Sequence, residues 1–363
     1  MSLRRVVCGA QFTMEASARE FLIRLLETPS PSGYERPIQD VVREYIKPFA
    51  DRVTTDLHGN VTACRNPSAP LRVMFAGHCD QIGMVVTHIN EQGFIYAQTI
   101  GGWDPQQLIG SRMHIWTANG PVNAVISRKP IHLLSDDERK QITKLEDLWL
   151  DIGAKNKAEV AEIVRIGDPV TFQLGFQEMR NGLANSPAMD NKVGCWVVIE
   201  ALRRATNLKC GVYAVSTVAE EIGLRGAQTA AFGIDPQVGI AVDVTHATDC
   251  PTIDKRQQGE IALGNGPVIF RGPNMNPPVT DRLMKLAKEK EIPFQPAASG
   301  RAVPNDANAL QINRAGVATG LVSIPNRYMH SCVEVISLDD IDRAADLLAA
   351  FVSGLNGDED FTP

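Results

Sequence analysis

The feature of this sequence that most constrains its fold is an apolar, β-branched run that ends in two adjacent carboxylates. The run, Cys210–Val218, is long enough for a strand buried in a sheet. Glu220 and Glu221 follow it, and Gly223 and an Ala-rich stretch that could start a helix come next. In open α/β sheets, ligands bind just beyond the carboxyl ends of the strands. The pattern therefore favours an α/β sheet with both glutamates at its ligand-binding edge.

The pair of glutamates has two interpretations. A solvated acidic loop is the usual explanation for two consecutive Glu residues. Two adjacent anions that are buried together instead repel each other and lose hydration, unless a cation or a proton compensates. A functional role for Glu220 and Glu221 therefore requires other ligand-type residues beside them, which the rest of the chain has to supply.

Three further apolar runs also lead into residues that bind metals or protons in other proteins. These residues are His78 and Asp80 after Leu71–Ala76, Asp243 after Val238–Val242, and His330 beyond Thr319–Ser323. Asp190 precedes the predicted helix Val193–Ala205, where an aspartate can also serve as an N-cap. His78 and Asp80 project to one face of an extended backbone, so the aspartate can accept an imidazole N–H or support a bound metal. A structural His–Asp hydrogen bond explains that pair equally well when it is taken alone.

Together these residues indicate a site for divalent cations. Two histidines and at least three carboxylates suit a pair of borderline cations such as Zn²⁺, Co²⁺ or Mn²⁺. Two such metals roughly 3.5–4 Å apart need a bridging carboxylate. The seven cysteines are scattered and form no C-x-x-C motif, which argues against a zinc ribbon and a disulfide framework.

The middle of the chain has a different sequence pattern from the two ends. Short β-like runs alternate there with turns rich in Gly and Pro, which predicts a small β-rich barrel or sandwich. The runs are Met84–Ile89, Phe94–Ile100, Arg112–Thr117, Pro121–Ile126, Leu148–Ile152 and Pro169–Phe172. We expect residues 84–176 to form an inserted dimerisation or lid domain, and residues 1–83 and 177–363 to form the catalytic domain.

Composition limits the classes of partner. The net charge of −6 gives no reason to expect nucleic acid or an anionic membrane surface as a partner. No run approaches the ~20 apolar residues of a membrane span. The apolar patch within residues 1–13 is too short for a secretory h-region. We expect a cytoplasmic protein.

A series of short motifs extends over nearly the whole chain. The motifs are P-S-G-Y-E at 31–35, D-L-H-G-N at 56–60, G-H-C-D-Q-I-G at 77–83, G-G-W at 101–103, K-P-I-H-L-L at 129–134, D-I-G-A at 151–154, M-D-N-K-V-G at 189–194, T-V-A-E-E-I-G-L-R-G-A at 217–227, D-V-T at 243–245 and R-Y-M-H-S at 327–331. In order and spacing they resemble the motifs of the M42 family of metallo-aminopeptidases. That family includes glutamyl, lysyl and deblocking aminopeptidases, and some members carry cellulase labels.

The resemblance implies two divalent metal ions per subunit and a ligand set for them. His78 and Asp243 would be terminal ligands of separate metals, and Asp190 would bridge the two. Glu221 would bind the metal that it shares with one histidine, and His330 would complete the other.

The resemblance also implies an activity and an architecture. The protein would be a hydrolase that removes the N-terminal residue from peptides with a free amine, which one metal would hold. Glu220 would act as the general base on a metal-activated water, and Asp80 would support the ligands from behind. We expect a mixed, mostly parallel α/β sheet flanked by helices, as in zinc peptidases, with an inserted PDZ-like or barrel domain. That insert would build dimer contacts, and the family often assembles into hollow dodecamers.

Other functions remain open at this point. A co-catalytic metal amidohydrolase acting on acylated amino acids would use the same ligands. A glycoside hydrolase could use the paired carboxylates, although it would not need the histidines. A structural metal scaffold would close the coordination completely.

The motifs also depart from the family pattern in two ways. Lys192 stands where many members have arginine, and it lacks the bidentate guanidinium fork. Cys79 and Cys332 flank proposed ligands, and Cys250 follows Asp249. We interpret these thiols as packing residues, whereas thiols near the metals would make the activity sensitive to oxidation.

Overall fold

The structure, a computed structural model, describes residues 14–363. Cys8 and the N-terminal patch considered above lie outside the described residues. The strands are β1 (Arg52–Thr55), β2 (Val61–Arg65), β3 (Arg72–His78), β4 (Gly83–Ile89), β5 (Ile95–Ile100), β6 (Ser111–Thr117), β7 (Gly120–Ser127), β8 (Trp149–Asp151), β9 (Pro169–Phe172), β10 (Gln177–Glu178), β11 (Leu183–Ser186), β12 (Gly211–Thr217), β13 (Val238–His246), β14 (Val268–Arg271), β15 (Gln295–Ala298), β16 (Ala318–Asn326) and β17 (Glu334–Ser337). The helices are α1 (Ala16–Glu27), α2 (Arg36–Ile46), α3 (Asp136–Lys140), α4 (Lys157–Ala161), α5 (Met189–Arg204), α6 (Arg225–Ile234), α7 (Lys255–Gln258), α8 (Pro277–Glu289), α9 (Asp306–Gln311) and α10 (Leu338–Ser353).

An eight-stranded mixed sheet forms the centre of the molecule, in the order β1-β2-β12-β3-β13-β16-β14-β15. Its four central strands, β12, β3, β13 and β16, are mutually parallel. They read as continuous apolar runs because helices cover both faces of the sheet. All seven residues of β12 are buried, for example. The carboxyl ends of these four strands therefore meet at one edge.

Helices pack on both faces of this sheet. On one face, α1, α5, α8 and α10 contribute to the larger apolar core, which includes the fully buried Trp196. On the other face, α6 and α9 cover a smaller cluster that contains Leu321 and Leu310. A separate three-stranded sheet, β10-β11-β17, lies beside α5. This is the mixed α/β architecture flanked by helices that we predicted.

A helix and the sheet approach each other closely next to the site. A Cβ atom added to Gly77 in β3 would lie 2.5 Å from the carbonyl carbon of Gly194 in α5. The two backbones touch because Gly77 has no side chain, whereas the missing side chain of Gly194 leaves room for that of Asn191. This contact fixes the height of α5 above the strand that ends at His78.

The middle of the chain forms a closed antiparallel barrel in the order β4-β5-β8-β7-β6-β9. Alternate residues of its strands fill the interior, as expected for a small barrel. They include Met84, Ile95, Ile115, Ile126 and Val170. The barrel is the form that the predicted β-rich insert takes. The boundaries 84–176 for that insert stay a prediction.

Two local interpretations of the sequence are wrong. Asp190 is not the N-cap of α5, because Ala188 occupies that position and no side chain caps it. Asn191 Oδ1 instead accepts the Gly194 N–H within the first turns of α5, at 3.0 Å. Asp243 does not follow its strand, because β13 continues through His246 and places Asp243 inside it.

None of the helices formed by residues 14–363 is long and apolar enough to cross a membrane.

Candidate metal centre

The polar side chains predicted at the strand ends converge at the edge where the four parallel strands finish. His78 ends β3, Glu220 and Glu221 follow β12, Asp243 lies in β13 and His330 follows β16. Together with Asp190 from the start of α5, these six residues line one cavity of about 1370 Å³. The seventh predicted residue, Asp80, is fully buried behind them and does not line the cavity.

Two groups of three side chains each have the geometry to hold a metal ion. The first consists of His78, Asp190 and Asp243, and the second of Asp190, Glu221 and His330. Within each group the ligand atoms lie within 4.8 Å of one another. Asp190 belongs to both groups, which is the arrangement a bridging carboxylate requires.

Asp190 makes this connection through its two carboxylate oxygens. Oδ1 lies 3.3 Å from His78 Nε2, and Oδ2 lies 3.2 Å from His330 Nε2. His78 Nε2 is also 3.8 Å from Asp243 Oδ1, and His330 Nε2 is 3.6 Å from Glu221 Oε2. This grouping differs from the family-based expectation, which put His78 and Asp243 on separate metals. The difference arises because β3 and β13 are neighbours in the sheet.

Hydrogen bonds to the other ring nitrogen orient both histidines. His78 Nδ1 lies 3.0 Å from the backbone carbonyl of Asp80, and His330 Nδ1 lies 2.9 Å from the carbonyl of Gly102. A hydrogen at each Nδ1 leaves Nε2 free to face the cavity, as ligand histidines require. Gly102 belongs to the loop between β5 and β6, so the barrel contributes directly to the site.

The carboxylate of Asp80 holds the glutamate pair by its backbone. Its two oxygens accept the N–H groups of Glu220 at 3.0 Å and Glu221 at 3.2 Å. The Ser32 hydroxyl donates to the same carboxylate at 2.7 Å. Asp80 therefore lies close to His78, with Oδ1 3.5 Å from Nδ1, and it also orients the backbone of the two glutamates.

The charges of the site favour a cation. Burial raises the pKa of Glu220 to about 10 against the lowering effect of the charge of His78, and the charge of Asp243 raises it further. Burial, together with the charge of Asp190, raises the pKa of Glu221 to about 9 and that of Asp243 to about 8. These carboxyl groups therefore bind protons unless cations take their place.

The position of one carboxylate oxygen also favours a bound cation. Glu221 Oε1 is buried and finds no hydrogen-bond partner within the described part of the chain. An unpaired buried acceptor costs free energy, which a metal ligand bond would recover. Imidazole nitrogens and carboxylate oxygens are the ligands that borderline divalent cations prefer. The residues present thus fit such cations.

Sequence reasoning missed two buried carboxylates beside the site. Glu334 accepts the backbone N–H groups of Asp190 and His330. Asp306 accepts from the Thr217 hydroxyl at 2.7 Å, and its Oδ1 has no partner among residues 14–363. Glu334 follows His330 by four residues, so the spacing H-S-C-V-E was the available signal. The sequence contains no comparable signal for Asp306.

The residues that depart from the family pattern lie behind the cavity wall. Lys192 is buried and donates to the Thr28 carbonyl and to Gln81 Oε1, both at 2.7 Å. Burial raises the pKa of the Cys79 thiol well above its usual value and also raises that of Cys332. Thiols with raised pKa values are poor ligands and poor nucleophiles. The two cysteines thus have the properties of packing residues.

Comparison with known proteins agrees with this fold. The family model of the M42 glutamyl aminopeptidases matches residues 59–347. The lysyl aminopeptidase of Pyrococcus furiosus is 39% identical over 350 residues, which cover 95% of this chain and 99% of that protein. The solved TET aminopeptidase of a marine sediment Thaumarchaeota archaeon has 36% identity and a TM-score of 0.89, covering 93% of this chain and 96% of that one.

A second solved structure is the Pyrococcus horikoshii TET1 peptidase, described as able to assemble into a tetrahedron or a large octahedral shell. It has a TM-score of 0.83 at 29% identity and covers 93% of this chain and 100% of that one. These relatives define the chain as a peptide-bond hydrolase of the aminopeptidase class. It belongs to the M42 family, which confirms the resemblance noted from its motifs.

Proposed function

We propose that the protein is a metal-dependent aminopeptidase that removes the N-terminal residue from peptides with a free amine. The observation that supports this most strongly is the position of Asp190, whose two oxygens face His78 and His330 at 3.3 and 3.2 Å. One cation would be held by His78, Asp190 and Asp243, and a second by Asp190, Glu221 and His330. Zn²⁺ and Co²⁺ suit these ligands best, and Mn²⁺ is also compatible with them.

Divalent cations in these positions would lower the pKa of a water molecule and polarise the scissile carbonyl. In our proposal, Glu220 is the general base. Its carboxylate faces the cavity without belonging to either ligand group, and Oε2 lies 3.7 Å from His78 Nε2. Glu220 would take a proton from the attacking water and pass it to the leaving amine.

The proposed cations also suggest why a free amine is required. The lone pair of a free N-terminal amine could bind one of them, whereas the nitrogen of an acylated N-terminus has a delocalised lone pair and is a poor ligand. This preference distinguishes the proposed aminopeptidase from an amidohydrolase that acts on acylated amino acids.

We further propose that the chain self-associates, with the barrel of residues 84–176 providing the dimer contacts. The assembly of the P. horikoshii relative into a tetrahedron or a large octahedral shell supports self-association. The size of the assembly can be measured by light scattering. The cytoplasmic location and the absence of nucleic-acid partners stay predictions from the sequence.

Replacing the general base tests the mechanism. We expect Glu220→Gln to lower kcat on aminoacyl-p-nitroanilides by roughly 10²–10⁴-fold, because the water loses its proton acceptor. The variant should still bind two cations per chain by elemental analysis, since Glu220 is in neither ligand group. Full activity in this variant would refute the assignment of Glu220.

A further inference from the structure

Glu334 connects two separate parts of the site through their backbones. Its side chain is buried at the start of β17, with 1% of its surface exposed. Oε1 accepts the N–H of His330 at 2.9 Å, and Oε2 accepts the N–H of Asp190 at 2.7 Å. Asn326 Nδ2 lies 3.4 Å from Oε2. One carboxylate therefore holds residues that lie 140 positions apart in the sequence.

The two residues held in this way are the ones that must meet for the second ligand group to form. Their side chains approach to 3.2 Å between His330 Nε2 and Asp190 Oδ2. Fixing both backbone nitrogens to one carboxylate limits how far the two Cα atoms can separate. Groups behind metal ligands influence affinity in this way in other proteins.

The loop that carries His330 needs such an external attachment. Tyr328 and His330 have φ angles of 63° and 59°, in the left-handed region that non-glycine residues seldom adopt. Such residues persist only where the surrounding structure holds them. At its start, the loop is fixed by an ion pair between Arg327 and Asp249 with contacts of 2.7 and 2.6 Å. At its end, the Glu334 carboxylate provides the second attachment.

We propose that Glu334 is a positioning residue that sets the affinity of the Asp190, Glu221 and His330 group for its cation. Its side chain does not line the cavity. This inference rests on the proposed two-cation function. The geometry of the ligands for the second cation would thus depend on a residue that belongs to neither ligand group.

Glu334→Gln tests this role with almost no change in volume. Both carboxylate oxygens accept backbone N–H groups, so an amide would turn an NH₂ group toward one of those donors and lose that hydrogen bond. Metal-free wild type and variant can be titrated with Co²⁺, with binding followed by visible absorption and by competition with a chelator. We expect the variant to bind one of its two Co²⁺ ions ~10–100-fold more weakly than the wild type does. We also expect the fold-decrease in kcat of this variant to be larger than its fold-change in KM.

Asp340→Asn is the matched control. Asp340 is likewise buried and accepts two backbone N–H groups, those of Gly264 and Gly266, both at 2.7 Å. It contacts neither ligand group, so Co²⁺ affinity should equal that of the wild type. A second test variant, Glu334→Asp, keeps the charge but is too short to reach both amides. It should lose part of the affinity even if Glu334→Gln does not fold.

The outcomes separate this inference from the proposed function. The inference is supported if the wild type binds two Co²⁺ ions and only the Glu334 variants bind one of these ions more weakly. Unchanged affinity in folded Glu334 variants, or an equal loss in Asp340→Asn, would overturn it while leaving the aminopeptidase proposal intact. A wild type that binds no Co²⁺ would overturn both.

Discussion

At the residue scale, buried carboxylates serve two distinct purposes in this protein. Those that line the cavity face histidines and one another. Asp80, Glu334 and Asp340 instead accept pairs of backbone N–H groups, and each thereby fixes a loop. Of the first kind, Glu220, Glu221 and Asp243 are readable from the sequence because they come at the end of apolar runs, and Asp190 because it precedes a predicted helix. Of the second kind, Asp80 was indicated by its position beside His78. Glu334 and Asp340 were not indicated, because their partners are backbone amides that every residue except proline possesses.

Asp340 gives a pH-dependent prediction. Burial raises its pKa from 3.8 to about 6, although hydrogen bonds from Gly264 and Gly266 lower it. The folded protein therefore binds this proton more tightly than the unfolded chain does. The resulting stabilisation is fully present below about pH 4 and is lost as the pH rises through about 6.

We expect the free energy of unfolding of the metal-free wild type, relative to Asp340→Asn, to fall by on the order of 2–3 kcal/mol between about pH 4 and 7. Urea unfolding of both proteins across this range measures the difference. A difference that stays constant, or that increases with pH, would contradict the assignment of the raised pKa to Asp340.

At the scale of single elements, the contact between β3 and α5 controls the position of the site. His78 ends β3, and Asp190 begins α5, so the separation of these elements sets the distance between two proposed ligands. Gly77 permits the close approach, because a Cβ atom there would collide with the backbone of α5.

Gly77→Ala should destabilise the protein by about 1–3 kcal/mol, because the new methyl group would push α5 away from β3. Gly233→Ala in α6 is the control, since nothing lies within 4 Å of its added Cβ. Removing a helical glycine there should be neutral or stabilising by up to about 1 kcal/mol. Thermal unfolding compares the two variants, and equal stability in both would show that the backbones have room to separate.

Local patterns predicted some strands and missed others. The barrel strand β9 has the predicted bounds, because Pro169 opens a short apolar run there. The strands β15 and β17 were not predicted. β15 reads Q-P-A-A, without a β-branched residue, and it becomes a strand only by pairing with β14, which is distant in the sequence. Such pairing leaves no local pattern.

At the scale of the whole molecule, two parts of the chain complete one site. The mixed sheet provides the proposed ligands, and the barrel provides the Gly102 carbonyl that orients His330 at 2.9 Å. The sequence indicated the convergence of ligands, because parallel strands end at a common edge. It did not indicate which ligands would share a cation, since this depends on the order of strands in the sheet.

Hydrolysis of one peptide in two forms tests the central claim most directly. The amino acid released from a peptide with a free N-terminus, and from the same peptide N-acetylated, can be quantified by mass spectrometry before and after chelation. We predict release from the free peptide alone, abolished by the chelator and restored by Zn²⁺ or Co²⁺. Equal cleavage of the acetylated peptide, or full activity in metal-free protein, would contradict a two-cation aminopeptidase built on Asp190.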